Sequence, residues 1–232
     1  MRKRFFVVLI CLASFSIRWG LVFSAPAYGT NLPLRKQFVV GFETYHVFDR
    51  DLEENYGSLR SSQNFFLLTY GLREWLSIDL KIGLGNIKQH PENVDELDYR
   101  SSFAGGYGFR FKLLDDTAHG IKTVFGFHHI SVHPHTLRVN SVKHTGIIDD
   151  WQFSLLFSKN VLNLTPYIGT KWSRLDYIHW EAGERKRRMS DLTEDIGLIA
   201  GIDTPFFMNT LLNLEGHFID EKAVSLSLMY AF

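Results

Sequence analysis

Leu76-Ser77-Ile78-Asp79-Leu80-Lys81-Ile82-Gly83-Leu84-Gly85 alternates without a break. Leu76, Ile78, Leu80, Ile82 and Leu84 fall on one side, and Ser77, Asp79, Lys81, Gly83 and Gly85 on the other. Successive side chains of an extended strand point to opposite faces, so this period of two specifies a strand with one apolar face and one polar or very small face. The pattern recurs at Val224, Leu226, Leu228, Tyr230 and Phe232, which alternate with Ser225, Ser227, Met229 and Ala231. It recurs again at Ile196, Leu198, Ala200 and Ile202, set against Asp195, Gly197, Gly201 and Asp203.

Working outward from these three segments, the same reading places strands near 37–48, 62–72, 75–87, 99–113 and 120–133. Five more fall near 146–158, 164–178, 192–204, 210–219 and 222–232. The count is about ten, or eight if two short strands are misread. Both are even, as a single-chain bacterial barrel requires. The connections alternate in length: 73–74, 114–119, 159–163 and 205–209 are short, whereas 49–61, 88–98, 134–145 and 179–191 are longer and charged, with a final tight Asp220-Glu221. Short periplasmic turns and longer external loops are the asymmetry of outer-membrane barrels, and this phase puts both ends of the barrel in the periplasm. The expected fold is therefore all-β, a transmembrane antiparallel up-and-down barrel.

The start of the chain fits that compartment. Arg2, Lys3 and Arg4 precede an apolar run from Phe5 to Ser16, and Ala25-Pro26-Ala27 offers a small-residue cleavage site. Residues 1–27 are read as a signal peptide and 28–232 as the barrel domain, although Arg18-Trp19 interrupts the approach to the cleavage site and leaves room for the boundary to move. An uncleaved anchor helix is the competing reading, and the apolar run falls short of the ~20 residues that a span needs. Cys11 is the only cysteine and lies in that leader, so the mature chain is expected to carry no disulfide.

Composition narrows the rest. The 232 residues carry 25 Lys plus Arg and 25 Asp plus Glu, so no net field favours nucleic acid. Aromatics make up 15% of the chain, including 20 Phe, yet mean hydropathy is near neutral at -0.06. A barrel that shows apolar side chains to lipid and polar ones to its interior has that mixture. A soluble lipocalin-like barrel would alternate too, but with its apolar side inward. Here the less apolar side holds Gly41, Gly83, Gly106, Gly108, Gly126 and Gly197, which suit a crowded interior. The apolar side holds Phe42, Phe109, Phe111, Phe125, Phe127, Trp151 and Phe153, which form a broad wall.

With its leader, its alternating strands and a last strand ending in an aromatic, the chain resembles the outer-membrane β-barrel superfamily of Gram-negative bacteria. The resemblance implies residence in the cell outer membrane among lipid and lipopolysaccharide. It also implies recognition of the strand ending at Phe232 by the barrel-assembly machinery.

Pointing each polar face inward puts Glu43, Asp79, Asp195, Asp203 and Glu215 in the lumen with Lys81, Arg110, Lys112, Lys122 and Lys171, extended by His128, Asn213 and His217. Charges held away from water are costly unless paired, so a narrow, charge-paired lumen is expected, with at most weak channel activity. The leading functional reading is a barrel of structural or surface-interaction type, without a cofactor or metal. A substrate-specific small porin is one alternative.

A second alternative is chemical. Phe127-His128-His129-Ile130-Ser131-Val132-His133 sets His129 and Ser131 on one face, and an ordinary hairpin register brings Asp149 opposite Ser131 and Trp151 opposite His129. Serine, histidine and an acid supply a nucleophile, a base and an orienting group. The pattern is similar to the His-x-Ser of lipid A deacylases and outer-membrane phospholipases, which implies Ser131 as nucleophile, His129 as base and Asp149 as acid. It departs from them after Ser131, where their common Asn is missing. The bland alternative is an interfacial girdle of rings. The clustered His128, His129, His133, His135 and His144 match no fixed zinc spacing. Finally, Arg185, Lys186, Arg187 and Arg188 form a basic run in an external loop, suited to lipopolysaccharide phosphates or simply to water.

Overall fold

A computed structural model describes residues 29–92, 95–182 and 187–232. The expected signal segment 1–27 lies outside them, as do Arg185 and Lys186. Twelve strands occur among the described residues. The first half contains β1 (Phe38–Asp49), β2 (Ser58–Arg73), β3 (Leu76–His90), β4 (Leu97–Asp116), β5 (Ile121–Val132) and β6 (Leu137–Val139). The second contains β7 (Val142–Lys159), β8 (Thr165–Glu181), β9 (Arg188–Ser190), β10 (Ile196–Phe207), β11 (Thr210–Phe218) and β12 (Lys222–Ala231).

Ten of these close an antiparallel barrel. Its wall runs β7-β5-β4-β3-β2-β1-β12-β11-β10-β8, and the β7–β8 pairing completes the ring. The first and last strands pair with each other, from Val39 opposite Ala231 to Val47 opposite Ala223, so no sheet edge is left in the wall. The two short strands, which the alternation does not announce, lie in the long loops: β6 pairs with the start of β7, and β9 with the end of β8.

β3 keeps its period of two along its whole length, but the meaning of its two faces changes. On β3, Ile78, Leu80, Ile82 and Leu84 project outward and are 39%, 48%, 59% and 58% exposed, while Ser77, Asp79 and Lys81 are buried inside. Past Gly85 the phase continues with the polarity reversed. Ile87 is now the buried inward residue, and Lys88 and His90 point out. β4 reaches the same result through a register shift opposite Gly85–Ile87, which turns its odd-numbered residues from inward at Leu97 and Tyr99 to outward at Phe103, Tyr107 and Phe109. β8 reverses between Trp172 and Arg174.

An apolar exterior over polar groups belongs in lipid, and a polar exterior over apolar groups belongs in water. The reversal therefore marks one surface of the membrane, on the side of the longer connections. β2, β3, β4, β7 and β8 run for 16, 15, 20, 18 and 17 residues, well beyond the ~9–11 that a spanning strand uses. β11 and β12, at 9 and 10 residues, do little more than span. The barrel thus has one tall side, and the space inside it is filled by Leu59, Ile87, Leu97, Tyr99, Ile148, Leu175 and Tyr177, all buried.

A cap closes this apolar chamber. The loop after β1 turns back at Gly57, where φ is +64° and an added Cβ would lie 2.1 Å from the His90 carbonyl oxygen. It places Leu52 beside Leu192 in an isolated bridge, and the Glu53 amide donates to the Asp191 carbonyl at 3.0 Å. At the opposite mouth, the segment before β1 folds up into the lumen, with Thr30 and Asn31 fully buried.

Candidate functional site

The lumen and the outer wall each carry a candidate site. In the lumen, inward residues of neighbouring strands fall at one level, so charges spaced by two along each strand meet partners across it. Asp79 accepts two hydrogen bonds from Arg110, Nε at 3.0 Å and Nη2 at 2.7 Å, and a third from Thr69 Oγ1 at 2.8 Å. Gly108 leaves room beside them for the His128 ring, whose Cδ2 would lie 2.3 Å from an added Cβ. Lys81 donates to Glu43 at 2.6 Å.

On the far side of the lumen a connected chain begins at Asn31. Its amide donates to Asp203 at 2.8 Å, Asn213 donates to Asp203 at 2.6 Å and to the Tyr167 hydroxyl at 2.8 Å, and Tyr167 donates to Glu215 at 2.6 Å. The His217 ring continues it, with Nε2 2.7 Å from Glu215 and Nδ1 2.7 Å from Glu221. Glu221 also accepts from Tyr45 at 2.5 Å and pairs with Lys171. Lys171 reaches Asp220 at 3.0 Å, and Arg50 ends the chain 2.7 Å from Asp150, with Glu221 at 3.4 Å.

Glu43, Asp79, Lys81, Arg110, Asp203, Glu215 and His217 are therefore buried inside the barrel, joined to the groups just described. Lys122 sits at the short-turn mouth and donates to the Asn31 side chain at 2.8 Å. Two expected members lie elsewhere. Asp195 is exposed and accepts from the Trp172 indole at 2.9 Å. Ile196 is the first register partner in the β8–β10 ladder, and Asp195 just before it keeps one bond to β8, from the Ser173 amide to its carbonyl at 2.7 Å, while its side chain turns outward to the indole. Lys112 stands at a register shift at the end of β4 and pairs with Asp115 at 2.6 Å on the rim.

Conversely, Arg50, Asp150, Asp220 and Glu221 belong to the lumen beyond the residues that the alternation points inward. Asp150 shares its parity with Gln152 and Ser154, a signal present in the sequence. Arg50, Asp220 and Glu221 lie in connections, where strand phase gives no direction.

On the outer wall, the register places Ser131 opposite Asp149 and His129 opposite Trp151. His129 Nε2 lies 2.7 Å from Asp149 Oδ1, and its ring packs on Trp151 and Tyr107 with centroids 4.5 Å and 5.1 Å away. The Ser131 hydroxyl is instead 2.8 Å from His133 Nε2 and 3.4 Å from the Ile148 carbonyl. The acid–histidine half and the serine half of the expected triad thus form two separate pairs. β5 is paired on both sides through this stretch, which commits its backbone amides to the ladders rather than to an oxyanion. Of the basic run, Arg187 stacks over Trp180 at 5.5 Å and Arg188 lies 4.0 Å from Glu181. Among the described residues, no cluster of three or more His, Cys, Asp or Glu is placed to hold a metal.

No family model and no curated protein sequence matches the chain. Among solved structures it is similar to the translocator domain of the autotransporter NalP from Neisseria meningitidis, at 14% identity and a TM-score of 0.44, covering 85% of this chain and 88% of that one. It is also similar to the transport unit of the autotransporter AIDA-I from Escherichia coli, at 11% identity and a TM-score of 0.45, covering 98% and 97%. The outer membrane protease OmpT from Escherichia coli gives 10% identity and a TM-score of 0.42, covering 84% and 95%. Likenesses at this level carry no argument about activity.

Proposed function

We infer that this closed antiparallel barrel, with an apolar belt outside and hydrogen-bonded charges inside, is built for the outer membrane. We propose that this barrel is sealed and acts through its external surface, as a structural or surface-interacting protein, rather than by passing solutes. The observation that carries this reading is the connected side-chain path from Asn31 to Arg50, flanked by the Asp79–Arg110 and Lys81–Glu43 pairs. A solute entering would have to separate buried ion pairs, each costly to break. Swelling of proteoliposomes in small neutral sugars tests it. A sealed lumen gives the rate of protein-free vesicles, and rapid swelling would favour the alternative of a small substrate-specific porin.

On this reading Arg185, Lys186, Arg187 and Arg188 would meet lipopolysaccharide phosphates, and the strand ending at Phe232 would be the assembly machinery's signal. Supporting the latter, Phe232 is 69% exposed, and its amide is held by the Phe38 carbonyl at 3.0 Å.

A second reading, a lipid acyl hydrolase, draws on the His129–Asp149 bond at the level where the outer wall turns polar, with Ser131 on the next rung. Mass spectrometry of outer-membrane lipids from cells expressing wild type and Ser131→Ala decides it. Unchanged acyl chains on expressing the wild type would end that reading.

A further inference from the structure

A pair of histidines lies beneath the cap over the apolar chamber. His144 at the start of β7 and His179 near the end of β8 are each 8% exposed, and both face inward above the level at which the wall becomes polar. His144 Nδ1 lies 3.2 Å from His179 Nε2, and the rings stack at 5.5 Å with 12° between their planes.

His179 touches both halves of the cap. Tyr56, in the turn Glu54–Tyr56 of the first external loop, sets its ring edge-on to His179 at 6.4 Å and to Tyr177 at 5.7 Å. On the other side, Arg188 of β9 is the register partner of His179, and β9 leads into the Asp191 and Leu192 contacts with the first loop. Two more bonds hold the first half down: Ser190 Oγ donates to the Glu53 carbonyl at 3.0 Å, and Gln89 donates to the Tyr56 carbonyl at 3.1 Å.

We propose that His144 and His179 form an acid-sensitive latch that holds the extracellular cap closed at neutral pH and lets it open on acidification. A bond between two ring nitrogens needs one of them to be unprotonated, because an imidazolium offers only donors. Adding the second proton turns the bond into two facing N–H groups on two stacked cations.

The surroundings do not absorb that charge. Tyr56 and Tyr177 are neutral, and Arg188 adds a third cation. Glu181, the cross-strand partner of His144, favours a proton on His179, but its side chain is 46% exposed and lies 4.0 Å from Arg188. Burial, then His144 and Arg188, hold the His179 ring below the ordinary imidazole value of about 6.5, with Glu181 acting the other way. The sign follows: the open cap binds more protons than the closed one, so closure is favoured above about pH 6.5 and weakens as the pH falls below it.

Leu52→Cys, expressed as the full chain in cells, reads the cap directly with a membrane-impermeant methanethiosulfonate, normalised at each pH to Arg138→Cys on the exposed face of β6 and blanked against the parent chain. The latch predicts protection at pH 7.5 and a relative labelling rate at least tenfold higher at pH 5.0. His179→Gln, which keeps a hydrogen-bonding group that takes up no proton, should stay protected at both values. Hydrogen exchange of residues 50–57 in the unsubstituted protein, corrected for intrinsic rates, should show the same loss of protection at pH 5.0. Equal relative labelling at the two pH values, exchange that does not change, or an acid response that persists in His179→Gln would each overturn the latch. None of these readouts depends on whether the lumen beneath the cap conducts.

Discussion

The two levels of the barrel interior solve one problem in opposite ways. Within the membrane the lumen is filled by ion pairs and hydrogen-bonded polar groups, such as Asp79–Arg110 and Glu43–Lys81. Above it, under the cap, the same inward parity carries Leu59, Ile87, Ile148 and Leu175, packed as in a soluble core. The difference lies outside the wall. Where lipid meets the exterior, the apolar residues are committed outward and the interior receives what remains. Where water meets the exterior, the apolar residues turn in. A single alternating strand such as β3 serves both environments by reversing polarity near Gly85 without losing phase.

Substitutions at each level should break this comparison in different ways, read from unfolding free energies in lipid vesicles. The largest loss is expected for Arg110→Leu, about 3–5 kcal/mol, because Asp79 would keep a buried charge without its partner. Replacing Asp79 as well with an apolar residue should recover much of that loss, whereas an additive double mutant would show that the pair is not coupled. Leu175→Ala tests the upper level, where truncating a packed side chain costs about 2–5 kcal/mol. Its loss should be independent of any charge substitution below.

The outer wall gives the next effect. Leu80→Arg faces hydrocarbon and should cost about 2–4 kcal/mol, whereas Lys88→Leu, eight residues along the same strand but beyond the reversal, should change stability little. Equal effects at the two positions would misplace the membrane surface. Thr69→Val removes one of several donors to Asp79 and should cost about 0.5–1.5 kcal/mol. His119→Ala, in an exposed short turn beside Asp116, should do least.

Most of this architecture is legible in the sequence because period-two alternation is a local consequence of strand geometry. Ten wall strands, their antiparallel closure and the pairing of Ser131 with Asp149 all follow from it. The alternation reads poorly where polarity reverses. Around Ile130, Ile148 and Leu175, apolar residues occur on both faces, and only the packed structure shows which face is inside. Connections are illegible for a different reason. Arg50, Asp220 and Glu221 owe their positions to loops that fold into the barrel, and Asp195, just before its strand, turns its side chain out to the Trp172 indole. In the candidate site, residue types and register were readable, but the hydrogen bond of Ser131 to His133 depends on side-chain rotamers that no spacing encodes.

The sealed interior is tested most directly by reconstituting the purified full-length barrel into planar lipid bilayers and recording single-channel current at neutral pH. A lumen closed by its ion pairs predicts insertion without steady open-state conductance, and brief low-amplitude flickers at most. A stable open level in wild type, comparable to that of a diffusion porin, would contradict it.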